Sequence, residues 1–155
     1  MVILMKIIFQ LLLTCKFLFA SNYIFLVDEY NKEIELEAKI ISNIATNSIK
    51  NEIKLYIPNI SKNEKAVYSK FLKVVDTCEK SNFIFRKRDF IDTNCNYENK
   101  IYFTNNYNYL ISNKSYLGAF FWSKSRPNIV FVKNRLAKSN IILPESFKQF
   151  IEDFE

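Results

Sequence analysis

The chain has 155 residues, with 22 Lys and Arg against 16 Asp and Glu, and contains no histidine. That length holds one domain with an adequate core, and 49% hydrophobic and 16% aromatic residues exclude intrinsic disorder, which needs low hydrophobicity. Without histidine there are no Ser-His or Cys-His nucleophile pairs and no imidazole-ligated metal site, and three cysteines fall short of a four-thiolate zinc site.

The net charge of +6 points toward acidic partners, although an excess of Lys, Asn, Ile, Phe and Tyr beside a single Gly is also what an AT-rich genome encodes. No phosphate loop, dinucleotide fingerprint or nucleophile elbow is present. The carboxylates group as Glu33, Glu35 and Glu37 and as Glu152, Asp153 and Glu155, positions that read as solvent-facing. A non-enzymatic protein with no cofactor and no metal is therefore expected.

The N-terminal run "MKIIFQLLLTCKFLFASN" has Lys6 as a short positive region, an apolar stretch over 7–19 interrupted by Gln10 and Lys16, and Ala20 at a cleavage point. It predicts a secretory signal peptide over 1–20. Two alternatives stay open: an uncleaved anchor over 7–27, and lipidation at Cys15. Cleavage would leave Cys78 and Cys95 as an even pair in an oxidising compartment, where a bridge is expected. The alternative is two buried free thiols.

From residue 28 onward a single domain is expected. "KEIELEAKIISNIATNSI" sets Ile34, Ala38, Ile41, Ala45 and Ile49 on one stripe and predicts a helix. "EIKLYIP" alternates and stops at Pro58, which predicts a strand. "SKNEKAVYSKFLKVV" opens with Ser61 and Glu64 at capping-box spacing and continues with Val67, Phe71, Leu72 and Val75 as a helical face. "NFIFRKRDF" and "KIYFT" read as aromatic-rich strands, and "TNNYNY" as a loop or a helix start.

"GAFFWSKSRPNIVFV" holds two apolar runs about a five-residue basic tip, "SKSRP", and predicts a β-hairpin. Pro144 and Glu145 then suit the start of a last helix whose buried stripe is Phe147, Phe150, Ile151 and Phe154. The strand–helix–strand unit over 53–86 implies a parallel pair, and the hairpin adds antiparallel strands. The expected fold is an α/β mixed-sheet sandwich with helices on the sheet and a C-terminal hairpin and helix.

Two surfaces qualify as sites. At the hairpin, Trp122 could anchor a partner, with Lys124, Arg126, Lys133 and Arg135 as flanking cations. At the strand ends, Arg86, Arg88 and Tyr107 could bind a small anion or metabolite. Basic residues among aromatics in "FRKRDF" would also suit nucleic acid, but export removes that partner and leaves a solvated strand end, so no nucleic acid is expected.

The segment "GAFFWSKSRPNIVFVKNRLAKSNIILP" resembles the closing part of YfiR-like periplasmic regulators. In that family a glycine opens a hairpin, a basic residue follows its tip, and a Phe-x-x-Asn element precedes an Ala-containing helix. Gly118, Arg126, Phe131, Asn134 and Ala137 hold those places. Ser123 and Ser125 stand where the family carries tip glycines, and the segment before the last helix is one residue shorter. The resemblance implies a small exported bacterial α/β protein of the periplasm. Such a protein binds the periplasmic part of a membrane signalling protein, and better-known relatives answer to redox state through their cysteines.

Overall fold

The computed structural model describes residues 20–87, 95 and 98–154, with the side chains of 20–29 and 31 excepted. The expected signal segment before Ala20, with Cys15, and the candidate Arg88 lie outside the described residues. The chain divides into two compact units, residues 1–37 and 38–155. Helix α1, Ala20–Ser48, runs through both. Within the second unit its predicted stripe is fully buried at Ala38, Ile41 and Ala45, and Ile44 is buried beside them.

The second unit carries a seven-stranded mixed sheet. In chain order its elements are β1 (Lys54–Tyr56), α2 (Lys62–Tyr68), β2 (Lys73–Val74), a 3₁₀ turn at Cys78–Lys80, β3 (Phe83–Arg86) and β4 (Ile101–Thr104). They continue as α3 (Tyr107–Ser112), β5 (Tyr116–Ser123), β6 (Arg126–Val132), α4 (Lys133–Lys138), a 3₁₀ segment at Glu145–Phe150 and β7 (Ile151–Glu152). The strand order is β2-β1-β3-β4-β5-β6-β7. Pairing is parallel from β2 through β5, antiparallel between β5 and β6, and parallel again between β6 and β7. The expected α/β class and the parallel β1–β3 pair are both present.

One face of the sheet is a run of phenylalanines. Phe83, Phe103 and Phe131 follow one another across β3, β4 and β6, at ring separations of 6.2 and 5.5 Å, and Phe147 closes on Phe131 at 5.7 Å. Gly118 lies in this layer, opposite Phe103 and Phe131 in register. A Cβ at position 118 would strike the Val130 carbonyl oxygen and come within 2.5 Å of Phe103 Cε2. The glycine therefore sits inside β5 to admit the Phe103 ring, and it does not open the hairpin.

Three expectations change in detail. The tip of the hairpin is two residues, Lys124 and Ser125, at φ 49° and 59°. Positive φ at both central positions gives the twist that continues strand pairing through a tight turn, so Ser123↔Arg126 and Trp122↔Pro127 are in register. Helix α2 keeps its capping box, with Ser61 and Glu64 bonded reciprocally, but ends at Tyr68. Lys73 and Val74 instead pair with Lys54 and Leu55, which takes the last part of the expected helical face into the sheet. The expected last helix is a 3₁₀ segment followed by β7, because Ile151 and Glu152 pair with Phe131 and Val132.

Candidate functional site

β1, β3, β4 and β5 run parallel, so their C-terminal ends share one edge of the sheet, the edge where open α/β sheets place ligands. The hairpin turn extends from this edge. Ser123 through Pro127 are exposed, and Phe121, Trp122, Asn128 and Ile129 behind them are half-buried. Side chains alternate along β5, so Trp122 shares a face with Phe120, against which it packs edge-on at 5.8 Å. Phe121, on the other face, lies 5.6 Å from Tyr107, and Tyr107 lies 6.4 Å from Phe154. The outcome is an aromatic shoulder below a cationic turn made by Lys124 and Arg126.

Tyr107 thus joins the two surfaces that the sequence suggested separately. It opens α3, which Asn106 caps by accepting from the Asn108 and Tyr109 amides at 2.9 and 3.4 Å. Tyr107 is 39% exposed. Arg86, at the end of β3, is engaged inside the protein: its Nη1 donates to the Tyr116 hydroxyl at 2.9 Å, and its guanidinium sits 4.5 Å from the Tyr109 ring centre. The Tyr116 ring meets Tyr102 edge-on, and the Tyr102 hydroxyl is 3.4 Å from Cys95 Sγ. Cys95 and Cys78 form a disulfide with Cα atoms 5.6 Å apart.

Lys133 and Arg135 do not reach the turn. Six strand steps from Arg126 to Val132 separate α4 from the tip by about 20 Å. Lys133 is exposed and bonded to Asp153 at 2.9 Å, and that hydrogen bond and charge raise its pKa above the ordinary lysine value. Arg135 is 5% exposed. Its Nη1 donates to the Leu110, Asn113 and Tyr116 carbonyls at 2.8, 3.0 and 2.7 Å, so it fastens the α3–β5 connection rather than a partner. Its place in the expected surface is corrected on that ground: a helix that packs its Arg135 and Leu136 inward carries the guanidinium away from solvent.

A feature not anticipated from sequence lies at the C-terminal edge. Lys87 Nζ bonds Glu64 Oε1 at 2.8 Å, with side chains only 13% and 4% exposed. Ser61 adds its hydroxyl at 2.8 Å and its amide at 3.1 Å to Glu64 Oε2. Burial pushes the Glu64 pKa up, but the bonds from Lys87 and Ser61 outweigh it and bring the value from 4.5 down to about 2. The capping box revealed half of this cluster; Lys87, 23 residues further on, carried no signal of its own.

Among the described residues no cluster of three or more Cys, Asp or Glu could hold a metal ion, and no helix is long and apolar enough to cross a membrane. No family model and no curated protein matches the chain. In fold the chain is similar to the crystal structure of a conserved domain protein from Vibrio cholerae O1 biovar El Tor str. N16961. The TM-score is 0.54 at 12% identity, over 79% of this chain and 60% of that one. The chain therefore spans less than two thirds of that protein's length, and the likeness shows an α/β sheet fold and nothing about activity.

Proposed function

We propose that the protein is an exported, non-enzymatic binding module that regulates or assists a membrane signalling or envelope partner, docking through the hairpin end. The observation that carries this reading is the pairing of an exposed cationic turn, Lys124 and Arg126, with the half-buried Trp122 and Phe121 directly behind it. Aromatic and arginine side chains dominate the binding energy of protein interfaces, and a cationic rim steers an acidic partner onto them. The Cys78–Cys95 disulfide supports an oxidising compartment such as the periplasm. The resemblance of residues 118–144 to YfiR-like regulators supports the same assignment, with the periplasmic part of a membrane protein as partner.

Affinity capture from envelope fractions tests the surface. Wild-type protein is expected to retain envelope proteins that Trp122→Ala and Arg126→Glu lose, with far-UV circular dichroism unchanged in both. Identical retained sets for all three proteins would remove the hairpin end as the docking surface.

A further inference from the structure

Strand β6 is paired along almost its whole length on one side and only at its end on the other. Toward β5 it is in register from Arg126 to Phe131, but toward β7 only Phe131 and Val132 have partners. Before β7 the chain leaves this position, because the 3₁₀ segment carries Phe147 onto the Phe131 ring. Arg126 through Val130 therefore form an edge with no strand beside it among the described residues.

The turn fixes which backbone groups face that edge. Ser123 and Arg126 flank a two-residue turn, so they form a hydrogen-bonded pair, and bonded and non-bonded pairs alternate from there along the ladder. Arg126, Asn128 and Val130 direct their backbone groups to β5, whereas Pro127, Ile129 and Phe131 direct theirs outward. Phe131 agrees with that assignment, being a residue through which β6 meets β7. The missing N–H of Pro127 thus removes no bond from the sheet. The open edge presents the Pro127 carbonyl together with the Ile129 N–H and carbonyl, and no described residue takes them up. At its start stand the exposed Lys124 and Arg126, neither with an ion-pair partner among the described residues. Ile129 is half-buried, as is Trp122, which is in register with Pro127.

We propose that an extended, acidic segment of the protein partner adds to the sheet along Pro127 to Ile129, in line with β7. This deepens the docking reading of the hairpin end and rests on it. Main-chain bonds to the edge supply the hold, and the two cations select acidic side chains near the turn. A second copy of β6 fits badly. Antiparallel pairing centred on Ile129 drives the copy's turn into β7. Pairing centred on Pro127 sets two prolines without N–H opposite each other and makes the two Arg126 side chains diagonal neighbours.

The test follows amide exchange by NMR in the full chain, with the end-blocked peptide Glu-Val-Thr-Val-Glu-Val as probe. In the free protein the Ile129 amide is expected to exchange at least about tenfold faster than that of Phe131, and saturating peptide to slow it by a similar factor. The same peptide N-methylated at its central residues, or with lysine for glutamate, is expected to bind about fivefold more weakly or worse. Ile129→Pro removes the outward N–H and is expected to weaken binding comparably, with the urea midpoint reporting that the fold is kept, while Ile129→Val binds as wild type. The edge is overturned by an Ile129 amide already protected in the free protein, by exchange that peptide does not slow, or by no saturable binding at millimolar peptide. Envelope capture separates the two readings. Retention lost in Trp122→Ala but kept in Ile129→Pro ends the edge and leaves the docking surface; retention lost in both supports both; retention kept in both ends the docking reading itself.

Discussion

Glu64 and Lys87 show how a single pair of side chains acquires properties that neither position announces. A carboxylate held near pKa 2 against an ordinary 4.5 binds its proton less readily folded than unfolded. Its contribution to stability is therefore fully present above about pH 4.5 and is lost as pH falls toward 2. We expect the urea midpoint of the wild type to fall across that window, and the fall to be smaller in Glu64→Gln; parallel pH profiles for the two proteins would refute the assignment. Lys87→Met leaves a buried carboxylate without its cation and is expected to cost about 3 kcal/mol at pH 7, measured by the same urea titration. Arg135 belongs to the same scale. Read as a flanking cation of the hairpin, it is instead buried, because whether an arginine faces in or out depends on which carbonyls lie within its reach.

Elements were legible where periodicity was long. The stripe from Ala38 to Ala45 and the alternating runs of the hairpin each predicted their element, because several turns or strand steps repeat the same message. Short elements did not announce themselves. Phe147, Phe150, Ile151 and Phe154 have helical spacing, yet Ile151 and Glu152 become strand because β6 offers them a parallel partner. The hairpin turn was hidden for a different reason: its positive-φ residues are Lys and Ser, whereas the other three non-glycine residues with positive φ among the described residues are asparagines. An L-residue there is strained relative to glycine by about 1–2 kcal/mol, partly offset by glycine's larger loss of freedom on folding. Ser125→Gly is therefore expected to raise stability by about 0.5–1 kcal/mol and leave Lys124 in place, seen as a higher thermal midpoint. A lower midpoint would contradict the two-residue turn.

At the scale of the molecule, parallel pairing sorts the side chains by sheet edge. It places Arg86, Tyr107 and the hairpin turn together at one edge, and Lys100, Lys114 and Lys138 at the other. The disulfide ties the 3₁₀ turn that holds Lys100 to the segment before β4 and buries both sulfurs' residues, at 2% and 6% exposure. Its 17-residue separation corresponds to about 3 kcal/mol of loop-closure entropy removed from the unfolded chain. Reduction is expected to lower the unfolding free energy by about that amount, read from urea titrations with and without reductant. The Cys78→Ser/Cys95→Ser variant is expected to match the reduced protein and show no response to reductant; a variant as stable as the oxidised wild type would show that the bridge does not constrain the unfolded chain.

The α/β class, the parallel β1–β3 pair, the capping box at Ser61 and the aromatic hairpin were legible in the residues, and the Cys78–Cys95 bridge followed from them only on the expectation of export. Each rests on local repetition, a cap of fixed spacing, or counting cysteines. That Gly118 makes room for Phe103, that Arg135 turns inward and that Lys87 meets Glu64 became visible in three dimensions alone. Those outcomes join residues far apart in the chain. Which of them meet is set by strand order and register, and no single stretch of sequence carries either.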